Sequence, residues 1–196
     1  DADVVFPGSN PGDMLGWSVA NAGDLNGDGA DELIVGAPRL MSSSGRSYAA
    51  VFSTLTSPTG GAALDAAYML LADVDSRSGF GISVDGGRDV HGGSSPDLAV
   101  GAPFHADQAG AAYLFSGGGA SVQEPGNDAV LALTGDTARG RLGWSVALAN
   151  LISPTAASLV AGAPQSNRFA SGGGEALVVH GGPGVSGALG STQADA

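Results

Sequence analysis

With 196 residues, 43% of them hydrophobic and only 13% charged, the chain is long enough to bury a core and too apolar to be disordered. Seven basic against 19 acidic residues leave a net charge of −12, which repels phosphate backbones and anionic bilayers, so neither nucleic acid binding nor membrane insertion is expected and cations are the natural partners. Cysteine is absent, which excludes disulfides and thiolate metal sites, and 34 glycines with 10 prolines suit many short strands joined by tight turns.

In chain order, the first element is the short apolar run Asp1–Gly8. The block Leu15-Gly16-Trp17-Ser18-Val19 follows, read as a strand with alternating faces, and then an acidic loop, Asp24–Glu32. A second strand, Leu33–Pro38, ends in Val-Gly-Ala-Pro, where proline stops the ladder for want of an N–H. A third strand falls at Ala49–Ser53 and a fourth at Tyr68–Leu71. The order then begins again. Phe80-Gly81-Ile82-Ser83-Val84 opens a second copy, with Val100-Gly101-Ala102-Pro103 behind it and strands at Ala112–Ser116 and Val130–Leu133. Leu142-Gly143-Trp144-Ser145-Val146 opens a third, followed by Ala161-Gly162-Ala163-Pro164 and a strand at Ala176–His180. Alternation puts Val19, Val84 and Val146 on equivalent faces.

The repeat is therefore a four-strand unit of 60-odd residues, longer than the common propeller repeats of about 40 to 50. Its copies run approximately over 14–72, 79–134 and 141–181, within a single domain, 1–196. Gly181–Ala196 reads as a glycine-rich loop, so the third unit has no fourth strand of its own. Asp1–Gly8 aligns with Asp128–Gly135, the fourth strand of the second unit and the turn after it, and is expected to complete the last unit.

The paired blocks and the acidic loop between them resemble the FG-GAP repeat of integrin alpha-subunit propellers, over nearly the whole chain. The resemblance implies an all-β fold, a β-propeller of three four-stranded antiparallel blades per chain, and a role in adhesion and recognition. Three blades leave too little around an axis to close, so the expected particle is a homodimer forming one six-bladed ring, each strand 1–8 completing its partner's last blade, the alternative being a piece of a longer propeller whose other blades lie elsewhere.

The most specific chemistry lies in Asp24-Leu25-Asn26-Gly27-Asp28-Gly29-Ala30-Asp31-Glu32. Side-chain oxygens at positions 1, 3 and 5 with glycine at 6 wrap a hard cation, and position 7 offers its carbonyl. An EF-hand would need glutamate at position 12, which is Val35. The FG-GAP loop instead closes at position 9 with Asp, where this chain has Glu32. Ca²⁺ is the expected cofactor, held by Asp24, Asn26, Asp28, Ala30 and Glu32. The corresponding second loop, Asp89–Asp97, has His91 and Gly93 where oxygen ligands are wanted, and the third, Asn150–Ser158, has no carboxylate. One calcium per chain is expected.

No catalytic residue is expected and the chain is read as not an enzyme: His91, His105 and His180 fall in separate units, and there is no Gly-x-Ser-x-Gly elbow. Trp17, Ile82 and Trp144 directly follow the motif glycines, a position that by the resemblance rings the mouth of a central channel, and they are the expected partner-binding residues. The seven arginines are scattered and read as solvated. The expected function is a calcium-stabilised extracellular or cell-surface module that recognises a protein or glycan. The alternatives are a purely structural or self-assembling propeller segment and, third, an enzyme accessory domain.

Overall fold

The computed structural model describes residues 3–40, 46–53, 67–73, 75, 77–118 and 121–193. They form thirteen strands in three sheets. The first sheet holds β1 (Ser18–Gly23), β2 (Glu32–Ala37), β3 (Tyr48–Phe52) and β4 (Met69–Ala72), antiparallel in chain order. The second holds β5 (Ser83–Arg88), β6 (Asp97–Ala102), β7 (Ala111–Ser116) and β9 (Leu131–Thr134), joined in the same way. The third has three strands, β10 (Ser145–Ala149), β11 (Ser158–Ala163) and β12 (Glu175–Val179). Between β6 and β7 lies one short helical turn, α1 (His105–Gln108), with positive φ at Ala106, Asp107 and Gln108.

Each of the first two sheets carries a fifth strand absent from the sequence reading. β8 (Val122–Gln123), from the connection between β7 and β9, pairs parallel with β4. β13 (Gly187–Gly190) follows β12 and pairs parallel with β9, so part of the glycine-rich segment expected to be loop is a strand. Its backbone hydrogen bonds to a neighbouring sheet compensate for weak side-chain signal. Residues 3–8, expected as a strand, form none within this chain. The first two residues of that expected strand, Asp1 and Ala2, lie outside the described residues.

The sheets stack so that β5 lies between β1 and β10. Alternation feeds both faces. Ile34 and Val51 point into the core shared with Leu98, Val100 and Phe115 of the second sheet, while Leu114, Leu131 and Leu133 point the other way, onto Leu142, Leu159 and Leu177. Val35, Ala50 and Phe52 make a third cluster on the remaining face of the first sheet, covered in part by Phe6 and Leu15. Phe6 stacks on Phe52 with ring centroids 4.2 Å apart.

Both repeated blocks have a physical cause in this stacking. The motif glycines Gly16, Gly81 and Gly143 have φ of +94°, +90° and +82°, so the block is a turn and its strand begins only at the serine. The glycine of each of the first two Gly-Ala-Pro runs lets the next sheet approach: a Cβ on Gly36 would lie 2.0 Å from the Gly81 carbonyl oxygen, and one on Gly101 2.0 Å from that of Gly143. The motif serines close the joint, Ser18 Oγ donating to the Gly81 carbonyl at 2.8 Å and Ser83 Oγ to that of Gly143 at 3.0 Å.

Candidate metal loop and recognition face

The β1–β2 loop is built from a bulge outward. The register shifts between Asn21 and Gly23, and Gly23, at φ +77°, donates its N–H to Asn21 Oδ1. The loop then folds around its own carboxylates. Asp24 Oδ1 accepts the N–H groups of Gly27 at 2.7 Å and Asp28 at 3.1 Å, and its Oδ2 accepts that of Gly29 at 3.0 Å. Asn26 Oδ1 accepts the Asp28 N–H, and Asp28 Oδ1 that of Ala30. At the first residue of β2, Glu32 is buried, with Oε2 accepting the Leu25 N–H at 2.6 Å. The Asn26 amide nitrogen then donates to both Glu32 Oε1 and Asp28 Oδ2, each at 3.0 Å.

The amide thus bridges carboxylate oxygens from the fifth and ninth loop positions and brings its partial positive charge between them. Among the described residues no arginine or histidine forms a salt bridge with Asp24, Asp28, Asp31 or Glu32. Four carboxylates within nine residues, lacking a basic partner, are an oxygen-rich donor set that fits a hard divalent cation. The extra methylene of Glu32 does not displace it from the loop.

The second loop repeats the scaffold. Asp89 Oδ1 accepts the N–H groups of Gly92 and Gly93, and the fully buried Asp97 accepts those of Val90 at 2.7 Å and His91 at 3.0 Å. His91 Nδ1 lies 2.7 Å from Asp97 Oδ1 and 3.9 Å from Asp89 Oδ1, in the role Asn26 has in the first loop. Among the described residues, Asp89, His91 and Asp97 are the one His/carboxylate trio whose ligand atoms all lie within 4.8 Å of one another. The carboxylates of Asp24, Asp28 and Glu32 are less tightly gathered and do not meet that distance. Sequence reasoning discounted the second loop for its missing oxygens, and the imidazole fills part of that space.

Trp17 and Trp144 are exposed, at 51% and 44%, whereas Ile82 at 8% offers no comparable surface. The Trp144 ring meets Phe104 edge-on at 6.1 Å, and the Arg141 guanidinium lies over both rings at 5.6 Å and 5.5 Å. Arg141 is therefore packed on aromatic faces rather than freely solvated. Arg39 departs further from the solvated reading, being buried against Asp13, whose second oxygen accepts the Tyr48 hydroxyl at 3.0 Å. Burial and the adjacent Asp13 charge push the Tyr48 phenol well above its ordinary range. Asp13 carries no sequence signal beyond standing two residues before the Leu-Gly-Trp block.

Comparison with known proteins agrees with the geometry. The FG-GAP repeat family matches residues 15–52, spanning the motif turn, the acidic loop and β1 to β3. Integrin alpha-3 of Mus musculus is 34% identical over 122 residues, 62% of this chain and 11% of that protein. Integrin alpha-5 of Xenopus laevis is 31% identical over 121 residues, covering 57% and 11%, and integrin alpha ina-1 of Caenorhabditis elegans 34% over 122 residues, covering 58% and 11%. The chain spans about a tenth of the length of these curated relatives.

Proposed function

We propose that this chain, which carries an FG-GAP repeat and is a relative of the integrin alpha subunits, is a calcium-stabilised propeller module that recognises a protein or glycan partner outside the cell or at its surface. The observation that carries the reading is the acidic loop Asp24–Glu32, folded around its own carboxylates with no basic counter-charge among the described residues. Ca²⁺ would be held by side-chain oxygens of Asp24, Asn26, Asp28 and Glu32 with the Ala30 carbonyl. Its chemistry is structural: it neutralises the carboxylates and fixes the loop between β1 and β2. The chain's own residues do the rest, since the Asp24 and Asp28 hydrogen bonds shape the loop backbone and Glu32 ties it to β2.

Recognition falls to the exposed indoles of Trp17 and Trp144, each set beside a motif glycine whose turn is fixed by contacts between strands. Tryptophan supplies large contact area at low entropic cost and attracts cations over its face. No reaction is assigned to the chain. A protein and glycan array probed with calcium-loaded chain tests the reading. Specific hits that weaken at least tenfold in Trp17→Ala or Trp144→Ala are expected. A folded, calcium-loaded chain without hits, or hits indifferent to both substitutions, would favour the purely structural role.

A further inference from the structure

Asn26-Gly27 is the one Asn-Gly pair in the chain, and it lies in the acidic loop. The pair has a chemistry of its own. A backbone nitrogen that follows asparagine can attack that asparagine's side-chain amide, and glycine permits this best, having no side chain in the way and the widest backbone freedom. Asn10 precedes a proline, whose nitrogen has no proton to give up, and Asn21, Asn127, Asn150 and Asn167 precede residues with side chains. Here the turn itself demands glycine, since Gly27 has φ +77°. Asn26 and Gly27 are both exposed, and a Cβ added at Gly27 would meet nothing within 4 Å, so among the described residues nothing crowds the attacking nitrogen.

What restrains the reaction is hydrogen bonding. The attacking nitrogen must lose its proton, yet the Gly27 N–H is held by Asp24 Oδ1 at 2.7 Å, and an anion formed there would face the Asp24 charge. The attacked amide must turn its carbonyl carbon toward that nitrogen, yet it is fixed at both ends. Its Oδ1 accepts the Asp28 N–H at 2.8 Å, and Nδ2, the leaving group, donates to Asp28 Oδ2 and Glu32 Oε1 at 3.0 Å each.

We propose that Asn26 is a deamidation site, locked by the folded loop and released when the loop opens. In the open loop the Gly27 nitrogen gives up its proton and bonds to Asn26 Cγ, the Cγ–Nδ2 bond breaks, and the amide group leaves with a proton as ammonia. Water then opens the cyclic imide at either carbonyl, leaving an aspartate at position 26 or its isomer, in which the chain runs through the β-carboxyl. The change is one-way, and it removes the donor that bridges Asp28 and Glu32. Glu32 is buried, so its Oε1 loses a partner and gains a like charge nearby. A loop that closed on its own amide then needs a cation to close, a consequence that rests on the calcium reading above.

Mass spectrometry of the intact folded chain, incubated at mildly alkaline pH in chelator and then digested, tests the site. Conversion is expected at Asn26 ahead of the other asparagines, and about tenfold slower than in a free peptide of residues 24–32. Asp24→Ala frees the N–H groups of Gly27, Asp28 and Gly29 and should speed it about tenfold at Asn26 alone, the other asparagines serving as the control for global unfolding. Asn26→Asp, which mimics one product, should melt below the parent in chelator and recover with Ca²⁺. A folded chain that converts as fast as the peptide, or an Asp24→Ala chain that converts no faster than the parent, would overturn the lock. An Asn26→Asp chain as stable as the parent in chelator would overturn the consequence drawn from it. Conversion restrained by the loop but indifferent to Ca²⁺ would support the lock and count against the calcium reading alone.

Discussion

Asp13 shows how much one residue outside the repeated blocks can matter. Its carboxylate is buried between the Arg39 guanidinium and the Tyr48 hydroxyl, and it also accepts the Asn10 N–H at 2.8 Å, so it fastens the segment before β1 to β2 and β3. A buried carboxylate that loses its counter-charge keeps its desolvation penalty, which makes removing one partner costlier than replacing both. Arg39→Ala is therefore expected to destabilise the chain by about 3 to 5 kcal/mol in urea unfolding. A loss under about 1 kcal/mol would mean that Asp13 is solvated. By contrast Arg46, though 2.8 Å from Glu124, is exposed, and its removal should be nearly silent.

At the scale of elements, β13 is held to the second sheet by its parallel pairing with β9, by the Thr134 hydroxyl donating to the Leu189 carbonyl at 3.3 Å, and by the Asp136 carboxylate just beyond β9. Asp136 accepts the Thr192 N–H at 2.8 Å and the Ser191 hydroxyl at 2.9 Å. Chiefly through the Thr192 backbone hydrogen bond, with Ser191 and the charge of Arg168 adding to it, the Asp136 pKa is held below the ordinary aspartate value. A depressed folded pKa contributes stability that is present above the unfolded value, about 3.9, and is lost as pH falls through the folded one. Amide protection of residues 187–192 should therefore fall below about pH 4, and in Asp136→Asn it should be reduced already at neutral pH. Protection unchanged in both would contradict the clasp. The central strands of each unit were legible because apolar alternation and Gly-Ala-Pro punctuation are local signals. β8 and β13 were not, since their strand character comes from edges that only the assembled sheets provide. In the acidic loop Asp24–Glu32 the oxygen-bearing residue types and their spacing are plain in the sequence, but that His91 would take the role of Asn26 depended on both loops sharing one backbone path.

For the molecule as a whole, the stacked sheets explain why so many positions admit only glycine or alanine: each sheet meets the next through backbone, and a side chain at Gly36 or Gly101 would push them apart. The loop Asp24–Glu32 joins β1 to β2 of the first sheet, so an ion bound there would stabilise native over unfolded chain by linkage, about 2.7 kcal/mol at one hundred times its Kd. For a chain of this length each kcal/mol moves the midpoint by about 2 to 4 °C. Calorimetry with and without Ca²⁺ tests the account most directly. It predicts one ion per chain and a Tm higher by about 5 to 10 °C at one hundred times Kd, with both effects abolished in Asp28→Ala. A Tm indifferent to Ca²⁺, or calcium binding undiminished in Asp28→Ala, would contradict it.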